Sequence, residues 1–262
     1  MSAESSFRPD LFEGRTVLVT GAAGGIGAGI AEAFAAHGAF VCLQDVRADE
    51  ASARAGILRD KGLRADAVGG DLARKGAAGD IFEAAMARLG RVDVLVNNAG
   101  RSWAVETVDI DPARAEELNE LNLMSVLWLS QRFIAHALER GGGGSILQVS
   151  STAGVAGFQR RAVYCATKHG VIGLTRVMAL DHARDGVRVN AILPHVVETD
   201  MFRTVASKAD GDSWRAAIPA QRFASVDDVS NLALFLCSPA ASYLTGGCYP
   251  VDGGAMAGPY GG

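Results

Sequence analysis

The sequence predicts an α/β fold of the doubly wound type, with about seven parallel strands in the middle of three layers and helices on both faces. Short runs rich in Val, Ile and Leu alternate with longer segments of helical periodicity along the chain. The short runs are apolar at successive positions, which is typical of strands buried on both faces of a parallel sheet. Because no linker or internal repeat interrupts this alternation, residues 1–262 are predicted to form a single domain.

The first elements form a βαβ unit. Its parts are a strand at 16–20, a glycine-rich turn at 21–27, a helix at 26–36 and a strand at 40–45. The helix is expected to end at His37-Gly38, since glycine is the usual residue just after a helix. The polar segment 1–13 precedes this unit and is expected to be loosely held.

The remaining elements continue the alternation. Helices are predicted at 49–61, 73–89, 112–140, 162–184 and 226–237, and strands at 64–69, 93–96, 145–149, 187–192 and 247–251. The glycines at 141–144 predict a flexible turn and not a phosphate loop, because no helix follows them. Residues 194–225 mix irregular and helical patterns, and their length predicts a loop or lid over a binding site.

Composition argues against several classes of protein. The net charge of -4 without a long run of one sign gives no reason to expect a nucleic-acid or anionic-membrane partner. No apolar run approaches the length of a membrane span, and the N-terminal segment MSAESSFRPDLFEG lacks the apolar region of a secretory signal. The four scattered cysteines favour a reducing, cytoplasmic location, and the five histidines lack metal-ligand spacing, so no metal site is predicted.

The glycine-rich turn has the residue types that a dinucleotide-binding site of the Rossmann type needs. Small residues let the backbone approach a pyrophosphate, whose charge is received by the N–H groups at the start of the helix. Asp45 follows Gly27 by 18 residues, where a carboxylate can accept hydrogen bonds from a ribose diol and would repel a 2′-phosphate. This favours NAD over NADP, although Arg47 could reach a phosphate.

Tyr164 and Lys168 are four residues apart and would lie on one face of a helix. A nearby ammonium favours the tyrosinate, so we expect Lys168 to lower the tyrosine pKa from its ordinary value of about 10. Such a tyrosine can exchange a proton with the oxygen of an alcohol or carbonyl compound. The pattern is also compatible with a purely structural pair.

The chain resembles the short-chain dehydrogenase/reductase family, in its single-domain form, from about residue 12 to 254. The matching motifs are TGAAGGIG (20–27), Asp71-Leu72, NNAG (97–100), Asn122, Ser151, YCATK (164–168), Pro194 with Thr199, and VDGG (251–254).

The resemblance implies a catalytic set in which Tyr164 is the general acid/base and Lys168 tunes it and holds the nicotinamide ribose. Ser151 would polarise the substrate, and Asn122 would interrupt its helix and hold a water. The cofactor-binding residues would be Gly21, Gly25, Ile26, Gly27, Asp45, Asp71, Leu72, Asn98, Gly100, Tyr164, Lys168, Val197 and Thr199. Residues in the region of the family's substrate pocket are Trp103, Phe158, His195, Met201, Phe202 and Trp214, and most of them could equally be core residues.

Pro194-His195 departs from the Pro-Gly that is usual in the family, and His195 could contact substrate or turn outward. Arg160-Arg161 could meet an acidic substrate, but a solvated turn or a subunit contact is the favoured interpretation.

The resemblance implies an NAD-dependent oxidoreductase, most often a homotetramer, that transfers a hydride between nicotinamide and a secondary alcohol or ketone. A sugar, polyol, sugar acid or hydroxy acid would be the substrate. One alternative is a 3-oxoacyl-thioester (acyl carrier protein) reductase, although Asp45 argues against the NADPH preference usual there. Another is a non-catalytic NAD-binding sensor or scaffold, which would not need the acid/base set.

Overall fold

The protein is described here by a computed structural model that covers residues 7–199 and 208–258. Within these ranges the strands are β1 (Thr16–Thr20), β2 (Phe40–Asp45), β3 (Ala65–Gly69), β4 (Val94–Asn97), β5 (Gly144–Val149), β6 (Val187–Pro194) and β7 (Cys248–Val251). The helices are α1 (Gly25–Ala36), α2 (Ala48–Asp60), α3 (Ala77–Leu89), α4 (Pro112–Asn119), α5 (Ser125–Glu139), α6 (Ala162–His182), α7 (Lys208–Ala216) and α8 (Val226–Cys237).

The strands form one parallel sheet in the order β3-β2-β1-β4-β5-β6-β7, which confirms the predicted doubly wound fold. A cluster that includes residues of α1, α2 and α8 packs on one face, and a second cluster that includes residues of α3, α5 and α6 packs on the other. The order reverses between β1 and β4, and this reversal opens a crevice at the carboxyl edge of the sheet. The candidate site residues follow the strands at that edge.

The helix predicted at 112–140 is interrupted. α4 and α5 are separated by a π-helical turn, Glu120–Met124, and Asn122 lies inside it. A π turn adds a residue to the helical repeat and is frequent at functional sites. The interruption expected at Asn122 is therefore present, and it turns the side chain into the protein, where Asn122 is fully buried.

Several other boundaries differ from the expectation. α3 begins at Ala77 instead of residue 73, and β6 continues to Pro194 instead of ending at 192. Gly144 belongs to β5, so the glycine turn is shorter than 141–144. Of the loop predicted at 194–225, residues 200–207 lie outside the described ranges, and the return at Ala224 pairs with Val197 as a parallel bridge.

The part of the lead-in segment around Phe12 is anchored, where loose holding was expected for residues 1–13. Phe12 is buried, and its ring centroid lies 4.7 Å from that of Phe34 on α1. Its backbone N–H donates to the carbonyl of His37 at 2.8 Å. Burial of an aromatic ring outweighs the polar character of the neighbouring residues. In the described part of the chain, no helix is both long and apolar enough to cross a membrane.

Candidate active site

Tyr164 and Lys168 lie one turn apart on α6, at the carboxyl edge of the sheet. The Lys168 side chain is buried, and its Nζ donates to the carbonyl of Val149 at 2.9 Å. The same Nζ lies 5.7 Å from the centroid of the Tyr164 ring. The lysine stem therefore passes from α6 to the end of β5, and its ammonium stays close to the phenol.

The pKa of Tyr164 is raised, which contradicts the expected lowering by Lys168. Burial has the largest effect because it disfavours the charged tyrosinate. A side-chain hydrogen bond with Ser151 and the positive charge of Arg161 act in the opposite direction and lower the pKa in part. Burial also lowers the pKa of Lys168 to about 8, so its positive charge is lost as the pH rises through that value.

Ser151 follows β5 and begins a short 3-10 turn, Thr152–Gly154. Its Oγ accepts a hydrogen bond from the N–H of Ala153 at 3.1 Å and is placed 3.5 Å from the carbonyl oxygen of Pro194. Ser151 also lowers the pKa of Tyr164, so the two hydroxyl groups are close to each other in the crevice. The preceding Ser150 is buried and donates to the carbonyl of Lys168 at 3.0 Å, which supports its interpretation as a structural residue.

Asn122 joins the loop after β4 to α6. Its amide accepts from the N–H of Arg101 at 2.9 Å and donates to the Arg101 carbonyl at 2.8 Å and to Thr167 Oγ1 at 3.3 Å. A Cβ placed on Gly100 would lie 3.1 Å from Asn122 Oδ1 and 3.6 Å from Lys168 Nζ. Gly100, Asn122 and Lys168 therefore converge, and the glycine keeps the space between them open.

The glycine-rich turn forms a tight cradle. A Cβ on Gly27 would lie 2.3 Å from the carbonyl oxygen of Gly21, and a Cβ on Gly21 would lie 2.9 Å from Ala99 Cα. Gly24 is the N-cap of α1, and among the described residues no side chain caps it. The first N–H groups of α1 are thus free of a side-chain cap, and an anion fits there. These features fit the pyrophosphate of a dinucleotide.

Asp45 lies at the end of β2 beside this cradle and is buried. Its Oδ2 accepts from the N–H of Ala23, and its Oδ1 accepts from the N–H of Arg47, both at 3.0 Å. The Arg47 guanidinium forms ion pairs with Asp45 at 3.3 Å and with Glu50 at 2.7 Å. A Cβ on Gly24 would lie 3.9 Å from Arg47 Nη2. The Asp45 carboxylate and the Arg47 guanidinium therefore both lie near the place where an adenosine ribose would bind.

Other predicted cofactor residues have structural tasks as well. The Asn98 amide donates to the carbonyls of Thr20 and Gly21, at 2.9 and 3.1 Å, and so holds the cradle to the end of β4. Leu72 is buried in the core, whereas Asp71 is exposed and accepts from the N–H of Ala73 at 2.9 Å.

The loop after β6 reaches the cradle from the other side. Val197 in this loop is buried. Across the crevice, a Cβ on Gly25 would lie 3.5 Å from Thr199 Cγ2, so the loop after β6 closes near the glycine turn.

His195 does not turn outward. Its Nδ1 lies 3.0 Å from Thr152 Oγ1, and its ring centroid lies 6.0 Å from that of Phe158. Trp103 is partly buried, with the guanidinium carbon of Arg114 4.6 Å from its ring centroid, whereas Trp214 on α7 is half exposed. Met201 and Phe202 lie outside the described residues.

The two arginines before α6 have different surroundings. Arg160 has a positive φ of 59° and pairs with Glu106 at 3.2 Å, as expected of a surface turn. Arg161 is the N-cap residue of α6 and is close enough to Tyr164 for its charge to lower the phenol pKa. Sequence reasoning missed this influence, and the spacing of three residues before the tyrosine is the signal that could have revealed it.

A dinucleotide cradle beside a Ser, Tyr and Lys cluster defines a nicotinamide-dependent oxidoreductase. The profile of a family described as enoyl-(acyl carrier protein) reductase matches residues 21–256. The chain belongs to the short-chain dehydrogenase/reductase family.

Relatives of known activity match nearly the whole chain. D-threitol dehydrogenase of Mycolicibacterium smegmatis is 35% identical over 264 residues, covering 97% of this chain and 96% of that protein. The 7alpha-hydroxysteroid dehydrogenase of Escherichia coli K12 is 34% identical over 244 residues, covering 93% of this chain and 95% of that protein. A gluconate 5-dehydrogenase from Burkholderia cenocepacia, solved with NADP and tartrate, superposes with a TM-score of 0.89 at 32% identity, covering 95% of this chain and 98% of that one.

Proposed function

We propose that this protein is an NAD-dependent dehydrogenase that transfers a hydride between the nicotinamide and a secondary alcohol or its ketone. The observation that carries the proposal is the placement of Tyr164 beside the buried Lys168, whose Nζ lies 5.7 Å from the ring centroid, with the Ser151 hydroxyl group near enough to lower the Tyr164 pKa. Two hydroxyl groups at one point suit a reaction that makes or consumes a C–OH group, because both can bind one substrate oxygen.

Tyr164 acts as the general acid and base. In oxidation its tyrosinate accepts the proton of the substrate hydroxyl, and in reduction its phenol donates a proton to the developing alkoxide. Ser151 donates a hydrogen bond to the same oxygen, where negative charge accumulates. The bound nicotinamide supplies the hydride acceptor or donor.

Lys168 and Asn122 support this chemistry. One of the three donors of Lys168 Nζ is directed to Val149, and the other two are available to ribose hydroxyls. We assign to Asn122 the holding of a water molecule in a proton relay, since its π turn changes the helical hydrogen-bonding pattern. Gly21, Gly25, Gly27 and Asp45 would hold the remainder of the cofactor.

The raised pKa of Tyr164 has a direct kinetic consequence. Because burial favours the neutral phenol, Tyr164 keeps its proton at neutral pH, which is the protonation state that reduction requires. Oxidation needs the tyrosinate, whose fraction increases as the pH rises toward the pKa. We therefore expect the optimum of alcohol oxidation to lie at higher pH than that of ketone reduction.

NAD is proposed as the preferred cofactor because the Asp45 carboxylate lies at the end of β2 and would repel a 2′-phosphate. Ion pairs with Asp45 and Glu50 partly neutralise Arg47. The similar gluconate 5-dehydrogenase binds NADP, so the ratio of kcat/KM with NAD to that with NADP is the deciding measurement. A higher kcat/KM with NADP would contradict the preference for NAD and would indicate that Arg47 binds the 2′-phosphate.

A polyol, sugar, sugar acid or hydroxy acid is the proposed substrate class, as in relatives that act on D-threitol and gluconate. A panel of such alcohols with NAD, followed by NADH absorbance, tests it. A 3-oxoacyl thioester in the same panel with NADPH tests the alternative reductase activity. Dinucleotide binding without turnover of any compound would favour a non-catalytic sensor or scaffold.

We also propose that the protein forms a homotetramer and that it is located in the reducing environment of the cytoplasm. Trp128 on α5 and Val177 and Leu180 on α6 are exposed, and Leu180 is 80% exposed. Exposed apolar residues on neighbouring helices suit a subunit interface. The mass in solution, measured by light scattering, tests the assembly.

A further inference from the structure

Two neighbouring hydrogen bonds join the turn after β5 to the end of β6. Ser151 Oγ lies 3.5 Å from the carbonyl oxygen of Pro194, and Thr152 Oγ1 lies 3.0 Å from Nδ1 of His195. The first contact is at the outer limit of a hydrogen bond, whereas the second has an ordinary length. The stronger of the two hydrogen bonds therefore joins Thr152 to His195, and the weaker contact joins Ser151 to Pro194.

The Thr152–His195 link is held firmly on both sides. Thr152 is buried, and it is the first residue of the 3-10 turn that follows Ser151. On the other side, the backbone N–H of His195 donates to the carbonyl of Val251 on β7 at 3.1 Å. The ring also lies beside Phe158, with 6.0 Å between centroids. His195 thus connects the serine turn to the edge strand of the sheet.

We propose that His195 is a positioning residue that holds Ser151 in place through Thr152. The inference rests on the proposed function, in which Ser151 binds the reacting oxygen. Ser151 Oγ is held by the N–H of Ala153 at 3.1 Å, within the same 3-10 turn as Thr152, and only weakly by the Pro194 carbonyl at 3.5 Å. A displacement of Thr152 therefore moves the turn and carries Ser151 Oγ with it. Misplacement of a catalytic group lowers the rate more than it weakens ground-state binding.

The polar atoms of the imidazole allow a sharp test. Asparagine has a polar atom at the position of Nδ1, and glutamine has one at the position of Nε2. His195→Asn therefore keeps a partner for Thr152, whereas His195→Gln keeps only a group that could reach substrate. Thr152→Val removes the hydroxyl group at nearly constant volume, and Thr152→Ser retains it as a control.

The experiment measures kcat, KM and the unfolding temperature of each variant, with the alcohol that the wild-type protein oxidises. His195→Ala and Thr152→Val are each expected to lower kcat about tenfold while KM changes by less than about twofold. The double variant is expected to lose no more than either single variant, since both remove the same contact. His195→Asn and Thr152→Ser are expected to retain most of the activity, and His195→Gln is expected to behave like His195→Ala.

Two results would overturn the inference. One is a double variant whose loss is the product of the single losses. The other is recovery by His195→Gln but not by His195→Asn, with the change mainly in KM, which would show direct substrate contact. Retained activity in the Asn and Ser variants excludes a folding defect as the cause. Failure of the wild-type protein to oxidise any alcohol would instead contradict the proposed function.

Discussion

The ammonium of Lys168 lies 5.7 Å from the centroid of the Tyr164 ring, and its hydrogen bond is made with the carbonyl of Val149 at 2.9 Å. The lysine is therefore a neighbour of the phenol ring, anchored to the end of β5. Burial raises the pKa of Tyr164, and Ser151 and the charge of Arg161 lower it in part.

Tyr164→Phe removes only the phenolic oxygen and is expected to lower kcat by about 10²- to 10⁴-fold, the usual contribution of general acid/base catalysis. NAD affinity, measured by calorimetry, is expected to change little, because the substitution leaves the glycine turn and Lys168 intact. Tyr243→Phe is the matched control, since Tyr243 is fully exposed. Retained turnover in Tyr164→Phe would rule out the proposed mechanism.

Arg161→Gln removes a positive charge that lowers the pKa of Tyr164. The pKa of the phenol is expected to rise, so the rising limb of the pH profile for alcohol oxidation moves to higher pH. The ratio of kcat at neutral pH to kcat at alkaline pH is expected to fall. Arg160→Gln is the control, because Arg160 pairs with Glu106 and should leave the profile in place. Identical profiles for the two variants would refute the assigned influence of Arg161.

Asp45→Asn keeps the shape of the side chain but removes its charge. The kcat/KM ratio of NAD to NADP is expected to fall by about tenfold, because the repulsion of a 2′-phosphate disappears and the ribose hydrogen bonds weaken. Arg47→Gln is expected to raise that ratio. Asp49→Asn, an exposed change on α2, serves as the control for the loss of a negative charge. An unchanged ratio in Asp45→Asn would show that Asp45 does not select the cofactor.

Gly27→Ala introduces a Cβ at 2.3 Å from the Gly21 carbonyl oxygen and 2.4 Å from Asn98 Nδ2. Because backbone must move to relieve this contact, we expect dinucleotide affinity to fall by about tenfold or more. Gly56→Ala, in the interior of α2, is the control. Its new Cβ would meet only the end of the Arg59 side chain at 3.9 Å, and stability should rise by roughly 0.5–1 kcal/mol. Normal NAD binding by Gly27→Ala would exclude the glycine turn as the dinucleotide-binding site.

Local patterns were sufficient to predict most of the fold. β1 and β2 match their predicted bounds, because runs of apolar residues ended by glycine or an acid depend only on neighbours in the chain. The interruption of the helix predicted at 112–140 was expected only from the family resemblance at Asn122, since a π turn keeps the helical periodicity on either side and leaves little trace in the pattern. Phe12 was misjudged because its partner Phe34 lies on another element.

The chemical groups of this site, and the class of reaction they serve, can be read from the chain: Tyr164, Lys168, Ser151 and the glycine turn stand at recognisable spacings. How these groups are tuned cannot be read there. The direction of the Tyr164 pKa depends on burial, and the inward position of His195 depends on Thr152, 43 residues away in the chain. Desolvation and contacts between distant segments arise only when the sheet brings the ends of β5 and β6 together, so the three-dimensional fold sets them.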